Sequence, residues 1–156
     1  MSKSLARVVR TLEQAGIDAQ VLAMDMETRT AEQAAAAAGC GLDQIVKSIV
    51  FRCETSGGVT LFLTAGGNRV DADKAAAVAG EPLGRADATL VRERTGFAIG
   101  GVSPVGHPAP IPTFWDRRLS DFPVIYAAAG TPRHIFSVAP DALLRLTGAT
   151  VADFIA

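Results

Sequence analysis

Ile45-Val46-Lys47-Ser48-Ile49-Val50-Phe51-Arg52-Cys53 and Val59-Thr60-Leu61-Phe62-Leu63-Thr64-Ala65 flank the polar stretch Glu54-Thr55-Ser56-Gly57-Gly58. Both runs have strand length and β-favouring composition, and the two glycines supply the positive φ angles a tight connection needs, so the segment reads as a β-hairpin. Lys47 is the anomaly in it. An ammonium on a half-buried strand needs an anion or a carbonyl as partner. Lysine is also scarce, with three against twelve arginines, so an ordinary surface position would more readily have carried arginine. About fifty residues later comes Gly100-Gly101-Val102-Ser103-Pro104-Val105-Gly106, a glycine-rich loop whose backbone N–H groups can approach a ligand closely. Lys47 and this loop together suggest a site. The alternatives are a lysine that guards a strand edge and a plain turn.

Outward from the hairpin, the pattern alternates helices and strands. Leu5, Val8, Val9 and Leu12 fall at helical spacing, with Ser4 as cap and Gly16 as stop. Residues 18–24 read as a short strand, and Thr30-Ala31-Glu32-Gln33 is a capping box opening an alanine-rich helix that ends at Gly39. Asp71 or Asp73 caps a helix to Gly80, and Asp87 caps another that ends near Gly96. Pro108, Pro110 and Pro112 exclude regular helix up to Phe114, residues 122–128 and 134–138 read as strands around Gly130-Thr131-Pro132, and Pro140 opens a last helix over 141–146. With no repeat or linker, residues 1–156 are expected to form one α+β domain, a largely antiparallel sheet flanked by helices.

Composition removes several classes of function. At 156 residues and 49% apolar content the chain can bury a real core. The longest apolar stretches, 34–38 and 123–129, fall far short of the roughly twenty residues of a membrane span, and no signal-peptide pattern opens the chain, so a cytoplasmic protein is expected. A net charge of −1 argues against the bulk basic field of proteins that hold long DNA, although Arg92-Glu93-Arg94, Arg117-Arg118 and Arg133-His134 could converge on a few phosphates. Cys40 and Cys53 lack metal-ligand spacing and only two histidines are present, so no metal and no cofactor are expected and both cysteines read as buried thiols.

Two familiar motifs fail at the loop. Ser103 lies among glycines like a hydrolase nucleophile, but the following residue is Pro104, which has no N–H for an oxyanion hole, and the glycine spacing is wrong. A phosphate loop would continue with Lys and Ser or Thr, whereas Gly106 is followed by His107-Pro108. What remains is a proline-stiffened loop that offers backbone donors and acceptors.

Four blocks in register resemble the YbaK-like aminoacyl-tRNA editing domain: Val46-Lys47-Ser48-Ile49-Val50-Phe51, Asn68-Arg69-Val70-Asp71, residues 95–106 with the glycine-rich loop, and Ala129-Gly130-Thr131-Pro132-Arg133-His134-Ile135-Phe136. The resemblance runs from about residue 5 to residue 154. It implies a curved mixed sheet approaching a barrel, with helices around it and a pocket between the lysine strand and the loop. It also implies hydrolysis of the ester of mischarged transfer RNA, mostly proline transfer RNA carrying a small wrong amino acid. The chain is too short to include a synthetase, so a free-standing, trans-acting editor is expected, with prolyl-tRNA synthetase as a candidate partner.

Carried over by position, the resemblance makes Lys47 the charged donor to the terminal phosphate or the ester carbonyl. Gly101 becomes the loop glycine that positions ester and water, and His134 matches the histidine of the alanine-specific members. The implied binding positions are Ser48 on the strand and Gly100, Val102, Ser103, Pro104 and Gly106 on the loop. Gly130, Thr131 and Arg133 complete them from the hairpin. Ser48 departs from the asparagine of alanine-specific members and the threonine of cysteine-specific ones, and the Lys-Ser pair looks more like the subgroup that accepts alanine or 2-aminobutyrate. Cysteine removal assisted by the substrate thiol is a second reading, and a non-catalytic module that binds a transfer RNA end is a third.

Overall fold

The computed structural model describes residues 2–156. Five helices are α1 (Lys3–Gln14), α2 (Ala31–Ala38), α3 (Ala72–Ala79), α4 (Ala88–Thr95) and α5 (Pro140–Thr147). Eight strands are β1 (Gln20–Ala23), β2 (Ile45–Cys53), β3 (Val59–Ala65), β4 (Leu83–Arg85), β5 (Thr113–Trp115), β6 (Ile125–Thr131), β7 (His134–Val138) and β8 (Thr150–Val151). They form one mixed sheet in the order β1-β7-β6-β2-β3-β5-β8, with β4 added to β2. The β1–β7, β6–β7, β2–β3 and β2–β4 pairs are antiparallel, while β2–β6, β3–β5 and β5–β8 are parallel. The path has two ends, so the sheet is open and does not close into a barrel.

The hairpin is the centre of this sheet because β3 is buried along its whole length. Successive side chains of a strand point to opposite faces, and β3 serves a different cluster with each. Leu61, Leu63 and Ala65 join Val8, Phe97, Trp115 and Phe136 in the main core, against which α1 lays Leu5, Val8 and Leu12. Phe62 faces the other way, among Ala75 of α3 and Phe154, with the Phe154 ring 4.8 Å away centroid to centroid.

The caps follow the sequence with one correction. Thr30 and Gln33 close the expected capping box, Asp71 and Asp87 accept from the N–H groups of Lys74 and Leu90, and Gly39, Gly80 and Gly96 end their helices with positive φ. The cap of α1 is Ser2 rather than Ser4: its hydroxyl accepts from Leu5 N at 3.0 Å, which leaves Ser4 inside the first turn. The second correction is the register of β6, which runs to Thr131 and not only to Ala128. Gly130, with φ 94°, absorbs a bulge between Ala128 and Thr131, so the connection to β7 narrows to Pro132-Arg133.

Candidate functional site

The cleft lies where β2 changes neighbours. β6 pairs with β2 at Ile45 and Val46, and β4 begins at Phe51, so the edge from Lys47 to Val50 faces no strand on that side. A cleft of about 670 Å³ fills the gap, within the ordinary range for small-molecule sites. Its walls are this edge, the start of α2, the turn after β3, Tyr126 to Ala128 of β6, and Ile99, Gly100 and Val102 of the loop.

Lys47 pairs across the hairpin with Thr64 and projects on the Ile49 face, whereas Ser48 pairs with Leu63 on the main-core face. Both reach the cleft because the edge is open. The Lys47 ammonium donates to the carbonyl oxygen of Asn68 at 2.5 Å, and none of the ion pairs among the described residues includes it. Burial pushes its pKa below the ordinary lysine value. Glu32 opposes that shift, Arg69 adds to it, and Asp116 and Asp43 oppose it. With one of three N–H bonds committed to a neutral acceptor, the ammonium keeps donors for a ligand. The Ser48 hydroxyl is buried without a hydrogen-bond partner, a costly state for a lone polar atom.

Across the cleft, the loop offers less bare backbone than its glycines suggest. Gly101 N is taken by the carbonyl of Ala98 at 3.0 Å. Among the described residues, the N–H groups of Gly100 and Val102 have no acceptor, and both residues line the cleft. Gly101 stands just behind them, packed on Thr131, and Thr131 Oγ1 lies 2.6 Å from His134 Nδ1. The Thr131 oxygen also accepts from Arg133 N. If its proton therefore goes to Nδ1, a neutral His134 carries its own proton on Nε2.

The structure thus gathers Lys47, Ser48, Gly100 and Val102 at one cleft and sets Gly101, Thr131 and His134 beside it. The other expected positions lie elsewhere. Ser103 is fully buried, its Oγ accepting from Val105 N. Pro104 and Gly106 border a second cavity of about 320 Å³. Gly130 packs against the Ser4 carbonyl and the Phe97 ring, and the Arg133 guanidinium donates to the carbonyl of Asp25. The arginine pairs do not converge: Arg118 is bound to Asp43 and Asp121, and Arg94 borders a third cavity.

Thr28 and Arg29 carried no signal in the sequence, and Glu32 was read only as part of the capping box, yet all three line the cleft. Thr28 is 7% exposed, and both its N and its Oγ1 bind the carbonyl of Pro132, which fastens this wall to the β6–β7 turn. Arg69 was visible only as part of a matching block, and it lines the cleft next to Asn68. Among the described residues no three His, Cys, Asp or Glu side chains cluster as metal ligands, and no helix is long and apolar enough to cross a membrane.

Comparison with known proteins shows the family of the chain. A model of the aminoacyl-tRNA editing domain matches residues 25–146. A crystal structure described as that of a candidate trans-editing enzyme for prolyl-tRNA synthetase is 48% identical, with TM-score 0.92, covering 100% of this chain and 99% of that one. A scaffold used in computational grafting of linear epitopes is 45% identical, with TM-score 0.93 and the same coverage. The protein YwhH of Bacillus subtilis (strain 168) is 31% identical over 123 residues, 79% of this chain and 78% of its own length. The matched span includes both the lysine strand and the glycine-rich loop, and the chain belongs to the aminoacyl-tRNA editing domain family.

Proposed function

We propose that the protein acts in trans as a deacylase that removes a small non-cognate amino acid, alanine or 2-aminobutyrate, from proline transfer RNA. The observation that carries this reading is Lys47: an ammonium without a carboxylate partner among the described residues, at the wall of a cleft that Gly100 and Val102, whose backbone N–H groups have no acceptor among the described residues, also line. Its similarity to the candidate trans-editing enzyme supports the choice of transfer RNA.

An aminoacyl ester is already activated, so the chain needs to orient it, exclude part of the solvent and stabilise an oxyanion. Lys47 donates to the terminal phosphate or the ester oxygen. The Gly100 and Val102 N–H groups receive the charge that develops on the carbonyl oxygen as water attacks, and the 3′ hydroxyl leaves with a proton. Oriented donors of this kind contribute about 10²–10³ in rate each, and holding ester and water together contributes further. Apolar walls from Val46, Val50 and Ile135 suit a short aliphatic side chain. One methylene is worth only about 1–3 kcal/mol of discrimination, so proline must be refused chiefly by the shape of the cleft.

The test is a deacylation panel of proline transfer RNA charged with alanine, 2-aminobutyrate, serine, cysteine and proline. Rapid release of alanine or 2-aminobutyrate with proline spared supports the reading. Preferential release of cysteine replaces the substrate, and tight binding without release of any acyl group replaces catalysis by a binding function.

A further inference from the structure

The turn that receives the Lys47 ammonium is itself held by a buried carboxylate. Asp116 is 4% exposed and follows β5. Its Oδ2 accepts from Ala65 N at 3.0 Å and from Asn68 Nδ2 at 2.8 Å, while Oδ1 accepts from Arg118 N at 3.0 Å. Capping the 3₁₀ turn at Arg117–Asp121 explains the last bond alone, and a serine or asparagine would serve there. None of the ion pairs among the described residues includes Asp116, so its burial rests on neutral donors, an expensive arrangement for a simple cap.

The turn is pinned from the other side as well. Asp43 Oδ1 accepts from Gly67 N at 2.8 Å, and its other oxygen accepts from Arg118 Nε at 3.0 Å. A side chain at Gly66 would collide with the Leu42 carbonyl, and one at Gly67 with the Asp43 carboxylate. Asn68 is therefore fixed by its side chain while its carbonyl faces Lys47.

We infer that Asp116 is a positioning residue for Lys47: through the Asn68 amide it fixes the carbonyl that holds the ammonium. The inference rests on the proposed role of Lys47 in deacylation. The charged groups that act on Lys47 are Glu32 from α2, Arg69 from the turn, Asp43 ahead of β2, and Asp116. Glu32, Asp43 and Asp116 favour the charged form against burial and Arg69. Removing the Asp116 charge lowers the pKa of Lys47 further, so the ammonium is lost at a lower pH.

The experiment measures kcat, KM and the pH profile of kcat/KM on alanine-charged proline transfer RNA, with Lys47→Ala as reference and thermal melts to confirm folding. Asp116→Asn is expected to lower kcat by about tenfold to a hundredfold with little change in KM. It should also move the alkaline limb to lower pH than wild type on the same substrate. Asn68→Ala keeps the charge and cuts the tie, so kcat should fall while the limb stays. Wild-type kcat in Asn68→Ala, or a wild-type limb in a folded Asp116→Asn, overturns the inference. If Asp116→Asn does not fold, Asn68→Ala alone decides. Full turnover by Lys47→Ala overturns the underlying deacylase mechanism instead, and with it any role for Asp116.

Discussion

Gly101 rests directly on Thr131. A methyl group on Gly101 would lie 2.9 Å from both the Cα and the carbonyl carbon of Thr131, and backbone cannot swing aside as a side chain can. This contact couples the glycine-rich loop to the end of β6, where Thr131 Oγ1 meets His134 at the start of β7. Gly101→Ala should push Gly100 and Val102 out of place, costing about 1–3 kcal/mol in stability as overpacking does. Deacylation should fall at least about tenfold because their N–H groups lose aim. Single-turnover rates and thermal melts of the variant check both numbers, and an active Gly101→Ala would show that the loop does not need this seat.

Ser103 gives the opposite expectation. Its hydroxyl is buried, supports Val105 N at 3.2 Å and does not border the cleft. Ser103→Ala should lose about 0.5–1.5 kcal/mol with its hydrogen bond and keep most of its turnover. An inactive but folded variant would restore a serine nucleophile.

Ser48 is a case of stability held in reserve. Removing a buried hydroxyl that has no partner is neutral or stabilising, so Ser48→Ala should melt at or slightly above the wild-type temperature. If the hydroxyl finds its partner in the substrate, KM rises several-fold while kcat is retained. Steady-state kinetics with the two candidate acyl groups decides this, and unchanged KM for both would leave Ser48 without a binding role.

His107 supplies a pH dependence unconnected with catalysis. Burial pushes its pKa below the ordinary value of 6.5; the hydrogen bond with the Ser103 carbonyl opposes the shift and the charge of Arg7 adds to it. A depressed pKa means that the unfolded chain takes up the proton first. The stability tied to neutral His107 is therefore complete above pH 6.5 and declines as the pH falls through that value toward the folded pKa. Melting temperatures of wild type and His107→Gln between pH 7.5 and about 5 should converge as the medium is acidified. Parallel curves would refute the assignment.

The hairpin, the caps at Thr30, Asp71 and Asp87 and the glycine stops were readable because each is a local signal, with donor and acceptor within a few residues. β4, β5 and β8 escaped notice because two or three residues carry no period, and β5 exists only where β3 gives it a ladder. The same distinction holds at the site. Lys47 stood out as a charge in an apolar run, and the glycine-rich loop as a composition. Asp116 gave no signal, because its importance lies in reaching Asn68, 48 residues away in sequence. Gly101 entered only through the resemblance, as the glycine that positions ester and water, and its seat on Thr131 gave no signal in the sequence. Its N–H, however, is spent on Ala98, and only coordinates reveal that Gly100 and Val102 hold the free donors.

The most direct measurement is single-turnover hydrolysis of alanine-charged proline transfer RNA by Lys47→Ala beside wild type, under conditions where both are folded and saturated. Loss of a charged donor to the reacting ester should cost about 10²–10³ in rate, with Lys47→Arg restoring little because a planar guanidinium cannot take the same place beside Asn68. Hydrolysis by Lys47→Ala at the wild-type rate would contradict the account.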